Sequence, residues 1–309
     1  MTLIFFGSDD FALVNLQRLI SSPFPVVACV MRPDKPKGRG MKLAASPTKE
    51  FALKNKIPVL QPTDLNEASF IRELQKFQAD IFVVIAYGKI LPAEILKIPK
   101  FFCINVHGSL LPKYRGAAPI NWAIINGDHT TGVTVIKMNE IMDAGEIINA
   151  QSMPMSDDDT AVTLRARMAQ TSADLLVKTL QAIATKKFQL TKQDLSDVTY
   201  APKLTKELGV INWKEDAAAI HNLVRGLLPW PGAFTFFEGK RLKILETGIG
   251  PKLTEKWQPG TIVEIKQEGL RIAAGDKILI VKKVHLEGAK PMDAHSFAIG
   301  HKLTTGCQL

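Results

Sequence analysis

The first 185 residues alternate short, unbroken apolar runs with longer segments whose apolar residues recur at helical spacing. Leu3–Phe6, Val26–Met31, Val59–Leu60, Ile81–Tyr87, Cys103–Val106, Val133–Met138 and Glu146–Ala150 are the strand candidates. Between them Phe11–Ile20, Lys49–Asn55 and Phe70–Phe77 carry the helical pattern, and Thr160–Thr185 reads as one long helix. A run such as Ile-Phe-Val-Val-Ile-Ala-Tyr over 81–87 has no polar face. It must be covered on both sides, as in a parallel sheet wrapped by helices. The alternation therefore predicts a doubly wound, Rossmann-like α/β domain with right-handed crossovers, spanning 1–188.

Beyond it the texture changes. Residues 189–207 lose apolar periodicity, with Lys192, Gln193 and Asp194 in succession, and read as a surface linker. Residues 208–309 open with a helical stretch, Ala217–Leu227. Short strands follow at Phe234–Phe237, Arg241–Glu246, Gly260–Ile265, Leu270–Ala273 and Lys277–Val284, with turn signals at Glu238-Gly239, Pro259-Gly260 and Gly275-Asp276. That spacing predicts a small β-barrel as a second domain.

Several classes are disfavoured. No apolar run approaches the roughly 18 residues of a membrane span. The opening residues have no basic stretch and reach Asp9 and Asp10 early, which argues against a signal peptide. Cys29, Cys103 and Cys307 are far apart and without CxxC spacing, so neither a disulfide framework nor a cysteine metal site is expected, and the cytoplasm is the expected compartment. The first strand is followed by Gly7 alone, without the three glycines of a dinucleotide fingerprint. A nicotinamide-dependent dehydrogenase is disfavoured, and Gly7 reads as a turn glycine. The net charge is +9. Its distribution matters more than its sum: Arg32, Lys35, Lys37, Arg39, Lys42 and Lys49 face only Asp34 in a Pro- and Gly-rich stretch, and 201–309 has a basic excess of five.

The chemistry concentrates in Cys103-Ile104-Asn105-Val106-His107-Gly108-Ser109. Asn105 and His107 lie two apart at a strand end, so both side chains emerge on one face, where open α/β sheets bind ligands. Packing explains neither. Asp143, in the Gly-containing loop Met142-Asp143-Ala144-Gly145, would complete an acid–base set that needs no metal.

Asn105-Val106-His107-Gly108-Ser109-Leu110-Leu111-Pro112, continuing through Arg115-Gly116-Ala117-Ala118-Pro119, resembles the signature of the 10-formyltetrahydrofolate-dependent formyltransferases. The resemblance extends to Ala86-Tyr87-Gly88-Lys89-Ile90-Leu91-Pro92, Asp143-Ala144-Gly145 and Pro229-Trp230-Pro231-Gly232-Ala233, and so over essentially the whole chain. One departure stands at the first turn, where the family commonly reads Gly-Thr-Pro and this chain has Gly7-Ser8-Asp9. The resemblance implies an OB-like C-terminal domain that contributes to tRNA binding, and a monomer. It implies formyl transfer from 10-formyltetrahydrofolate, with Asn105, His107 and Asp143 as catalytic residues. Ser109, Leu110, Leu111, Pro112, Tyr87, Gly88, Ile90 and Leu91 would line the folate pocket. The implied acceptor is the α-amino group of methionine esterified to initiator tRNA, with Arg39, Lys37 and Lys42 reaching its acceptor stem. In the C-terminal domain Lys282, Lys283 and His285 are candidates for a phosphate-facing surface, and Trp230 is read as structural.

Three alternatives are weighed. A glycinamide ribonucleotide formyltransferase would leave residues 208–309 superfluous. A formyltransferase acting on a UDP-linked amino sugar would share the trio but would not need the basic 32–49 stretch. A non-catalytic RNA-binding protein would not need the trio. Arg39→Ala should spare folate affinity and weaken turnover with tRNA, measured as kcat/KM at two salt concentrations; equal loss with a minimal amine acceptor would remove the RNA-contact role.

Overall fold

The computed structural model describes residues 1–37 and 42–309, with 35–37 and 42–43 described by backbone alone. The chain divides into two compact units, one of Met1–Pro119, Thr130–Pro154 and Arg165–Ala201, the other of Ile120–His129, Met155–Leu164 and Pro202–Leu309.

The first unit is built on a seven-stranded sheet. Its strand order is Glu146–Pro154, Thr130–Lys137, Phe102–His107, Ile81–Val84, Leu3–Phe6, Val26–Val30, Val59–Leu60. The last five pair in parallel. Leu3, Ile4, Phe5, Phe6, Ile81, Phe82 and Val83 are wholly buried, as strands covered on both faces require. On one side, helices Asp10–Ile20 and Ala161–Ala184 are joined through Asn15, whose Nδ2 donates to the Phe11 carbonyl at 2.9 Å and to Ser172 Oγ at 2.8 Å.

The sheet is not parallel throughout. Thr130–Lys137 runs antiparallel to Phe102–His107 and forms a hairpin with Glu146–Pro154. The connection 138–145 is too short for the crossover of a dozen or more residues that parallel strands need. The apolar run 81–87 also leaves the sheet early. Its strand stops at Val84, and Ala86 (φ 47°) and Gly88 (φ 75°) turn the chain away while Ile85 and Tyr87 stay buried. An apolar run reports burial, and here burial outlasts the strand.

The second unit is an antiparallel sheet in the order Phe234–Phe237, Lys240–Lys252, Lys277–Leu286, Gly269–Ala273, Ile262–Lys266, in keeping with an OB-like domain. Register shifts between Ile244 and Thr247 bend the long Lys240–Lys252 strand, so that one ribbon can curl around a core. Leu242, Ile244, Leu270, Ile272, Leu279 and Val281 meet Ile220 and Val224 of helix Ala217–Gly226 and Phe297 of helix Ala294–Gly300. The latter helix is capped by Asp293, whose carboxylate accepts from the Ser296 amide at 2.7 Å. Trp230 is half-exposed rather than packed away.

Gly7 has a different reason from the one its position in a turn implied. A Cβ there would lie 2.7 Å from the Ile85 carbonyl oxygen, 2.7 Å from Ala12 Cβ and 2.9 Å from the Phe5 ring. The first helix can approach the sheet only because that atom is missing. Gly7→Ala should therefore destabilise the chain by about 1–3 kcal/mol, the usual range for overpacking, read as a shift in the urea midpoint at unchanged m-value.

Candidate active site

Strand Phe102–His107 delivers Asn105, half-buried, and His107, 5% exposed, to one face of the sheet. The third residue arrives less directly. Ile104 lies opposite Lys137 and His107 opposite Thr134, so the chain leaves the antiparallel strand beside the start of Phe102–His107. There the Met138 amide donates to the Cys103 carbonyl at 2.8 Å. To meet Asn105 and His107 the loop must double back along the strand. It does so through a left-handed backbone at Asp143 (φ 55°) and by pressing Gly145 onto the neighbouring strand, where a Cβ would lie 1.8 Å from the Lys137 carbonyl oxygen. The tip of the loop, Ile141 and Met142, remains 68% and 52% exposed.

Asp143 then meets three groups. Oδ1 accepts from Asn105 Nδ2 at 3.3 Å and lies 3.5 Å from His107 Nδ1; Oδ2 accepts from the Gly116 amide at 2.9 Å. His107 Nε2 stands 2.8 Å from the Tyr114 carbonyl. A carbonyl only accepts, so Nε2 carries a hydrogen and Nδ1 is the nitrogen turned to the carboxylate.

The segment carrying Tyr114 and Gly116 is held by residues of the expected linker. Arg115–Gly116 pairs in parallel with Tyr200–Ala201. The Tyr114 amide donates to Thr199 Oγ1 at 2.8 Å, and the Ala117 amide to the Ala201 carbonyl at 2.9 Å. Gln193 accepts at Oε1 from Arg115 Nε (3.1 Å) and Nη2 (2.8 Å), and donates from Nε2 to the carbonyls of Asp143 and Gly145, both at 2.8 Å. Gln193 and Thr199 carry no signal in the sequence, because a polar stretch without periodicity gives no sign of what its side chains reach.

The residues expected to line a folate pocket fall into two groups. Ser109 is wholly buried and donates from its hydroxyl to the Lys113 carbonyl at 2.6 Å, which engages its side chain locally. Thr134 Oγ1 donates to the Ser109 carbonyl (2.7 Å) and accepts from the Leu111 amide (3.0 Å), fixing the turn. Leu111 is buried, while Leu110 and Pro112 are half-buried. In the second group Leu91 and Tyr87 are buried and Ile90 is 65% exposed. The Tyr87 hydroxyl has no hydrogen-bond partner among the described residues, and burial pushes its phenol up to about 12, so it stays a neutral donor. Beside it Gly88 faces the Arg32 guanidinium. A buried donor without a partner next to a glycine fits a polar heterocycle.

At the first turn the departures from the family pattern are accommodated. Ser8 Oγ accepts from the Arg32 amide at 2.9 Å. Asp9 caps helix Asp10–Ile20 by accepting from the Ala12 amide at 2.9 Å and pairs with Arg165; burial nevertheless holds its carboxyl above the usual range. In the basic stretch, Arg39 lies outside the described residues, and Lys37 and Lys42 are opposite each other in a short antiparallel pair. Lys49 is not a free cation. It binds Asp34 at 2.6 Å and Gln61 Oε1 at 2.6 Å, and it holds the Asp34 carboxyl below its usual range. In the second unit Lys282 lies 3.8 Å from Glu246, His285 Nε2 is 3.0 Å from the Ala289 carbonyl, and Lys283 is exposed. Among the described residues no His, Cys, Asp or Glu cluster is arranged to hold a metal ion, and no helix is long and apolar enough to cross a membrane.

The formyl transferase family matches residues 1–180, and the formyl transferase C-terminal domain matches 203–302. The methionyl-tRNA formyltransferase of Acetivibrio thermocellus is 43% identical over 306 residues, 99% of this chain and 98% of that protein. That of Caldanaerobacter subterraneus is 43% identical over 307 residues, 99% of each. Among solved structures, a sugar 3N-formyl transferase shares the fold at a TM-score of 0.68 and 19% identity, over 94% of this chain and 99% of that one. HypX from Aquifex aeolicus in complex with tetrahydrofolic acid does so at 0.62 and 16%, over 96% of this chain and 46% of that one.

Gly145→Ala would force the loop off the sheet and carry Asp143 with it. Because misplacement of a reacting group by about 1 Å can lower turnover roughly 10²-fold, kcat should fall by that order. A crystal structure of the variant with Asp143 still on Gly116 would contradict the steric account.

Proposed function

The chain belongs to the formyl transferase family, and from that membership we propose that it transfers a formyl group from 10-formyltetrahydrofolate to the α-amino group of methionyl initiator tRNA, giving the N-formylmethionyl-tRNA used to initiate translation. The observation that carries the choice of acceptor is the 43% identity, over nearly the full length of both chains, to proteins named for that reaction. The sugar formyltransferases share the fold at about half that identity.

The folate would supply a formyl carbon open to attack by a neutral amine; negative charge would develop on the formyl oxygen. As the carbonyl re-forms, the bond from the formyl carbon to N10 would break, N10 leaving as the secondary amine of tetrahydrofolate with the proton given up by the attacking amine. Asn105 is suited to receive that charge. One Nδ2 hydrogen is directed to Asp143, and the other is available to the oxygen; a donor so placed lowers a barrier of this kind by about 3–4 kcal/mol. His107 cannot turn, because its Nε2 is tied to a backbone carbonyl, so its chemistry is confined to Nδ1. The carboxylate of Asp143 stands 3.5 Å from that nitrogen and is placed to accept the proton lost by the amine. The unpartnered Tyr87 hydroxyl and the backbone at Gly88 are the groups proposed to meet the polar edge of the pterin. The basic residues Arg39, Lys37 and Lys42 are proposed to meet RNA phosphates.

Purified protein, 10-formyltetrahydrofolate and methionyl initiator tRNA should give formyl-methionyl-tRNA, with no transfer to a UDP-linked amino sugar in a parallel reaction. Transfer to the sugar alone would replace the proposed acceptor and leave the trio in place. Asn105→Ala should lower kcat by roughly 10²–10³-fold, and His107→Ala and Asp143→Ala by at least as much, with unchanged circular dichroism. Near-normal turnover by the folded variants would remove these residues from the chemistry.

A further inference from the structure

We propose that Gln193 is a positioning residue whose side-chain amide clamps the Asp143 loop and thereby sets where the carboxylate stands relative to His107 and Asn105. This rests on the reading of Asp143 given under the proposed function.

The amide uses its full capacity in one orientation. Its oxygen accepts twice from Arg115, and its nitrogen donates twice, to the carbonyls of Asp143 and Gly145. Those two carbonyls belong to the first and last residues of Asp143–Gly145, the stretch over which the loop completes its return, beginning with the left-handed Asp143. A loop that doubles back over a sheet has carbonyls that the strand ladder cannot satisfy, and Gln193 satisfies both. The contacts also close a ring. Arg115 binds Gln193, Gln193 binds the Asp143 backbone, and the Asp143 carboxylate returns to the amide of Gly116, the next residue after Arg115. Backbone and side chain of Asp143 are thus fixed from the same segment.

The competing account is that Gln193 merely anchors its own stretch of chain. That stretch is anchored without it. Thr191 exchanges backbone hydrogen bonds with Ile147 at 2.8 and 2.9 Å, and Tyr200–Ala201 pairs with Arg115–Gly116. Lys192 and Asp194, on either side, are exposed, while Gln193 is half-buried. No other side chain of this length combines the two functions. Glutamate would retain Arg115 but set lone pairs against two carbonyls, and asparagine is one methylene short.

The test uses the full chain with Gln193→Glu and Gln193→Leu. For each, kcat and the KM for 10-formyltetrahydrofolate are measured with the acceptor that the unaltered protein turns over. Amide hydrogen exchange is followed by NMR at Gly116 and along Leu3–Phe6 and Ile81–Val84 in the ligand-free protein. The expected result is a fall in kcat of about ten-fold or more with KM unchanged within about two-fold. Gly116 exchange should be faster by about ten-fold or more while the central strands keep their protection. Glu is the sharper variant because it retains Arg115; if it does not fold, Leu carries the same two readouts. Unaltered kcat, or unaltered Gly116 exchange, overturns the proposal. So does a loss of protection that spreads through the central strands, which would mark Gln193 as a residue of general stability. Exchange is read without substrate, so a chain that formylates some other amine would refute the acceptor and still report on the clamp.

Discussion

One pairing direction governs the site. Thr130–Lys137 joins the sheet antiparallel to Phe102–His107, so the hairpin that follows begins beside the start of the strand whose far end carries His107. About three residues of strand, near 10 Å, separate those points. The loop has to recover that distance by running back over the sheet, and its unusual features follow from the return. A left-handed backbone at Asp143, a glycine pressed on Lys137 and carbonyls turned to a distant glutamine are what allow a short hairpin to reach the middle of a strand.

The same geometry divides what could be read from the sequence from what could not. Asn105 and His107 were legible because they obey the period of two along a strand with a recognisable apolar core. Asp143 was legible as the acid that would complete the set, from its Gly-containing loop and the family signature, but its route to the site was not, since no local rule says that a hairpin turn folds back onto its own sheet. Gln193 and Thr199 were invisible. Their segment has no periodicity, and its importance comes from pairing with residues some 80 positions away. The parallel part of the sheet was legible as buried runs alternating with helices; the final hairpin shows only in its short connection 138–145, and the antiparallel course of Thr130–Lys137 against Phe102–His107 left no local signal.

Charge told a similar story of local signal and spatial outcome. Counting residues in 32–49 gives six cations against one anion, yet Lys49 and Asp34 bind each other and share Gln61, which turns two of the counted charges inward. The first turn shows the converse. Ser8 and Asp9 depart from the family pattern, yet each finds a partner there, a backbone amide for Ser8 and a helix start with Arg165 for Asp9. A departure in sequence therefore need not be a departure in architecture.

The contact of Gly145 with Lys137 has a bearing on how this active site can vary. A hairpin turn is ordinarily the part of a sheet most tolerant of insertion and deletion. Here both ends of the turn are anchored, one at Met138 on Cys103 and the other at Gly145, so an added or missing residue would displace Asp143 from its three partners. Change is confined to the exposed stretch Asn139–Met142, which can alter what the enzyme meets in solution without altering the length of the loop. For protein engineering, the loop should behave as a fixed-length cassette whose open positions lie in Asn139–Met142.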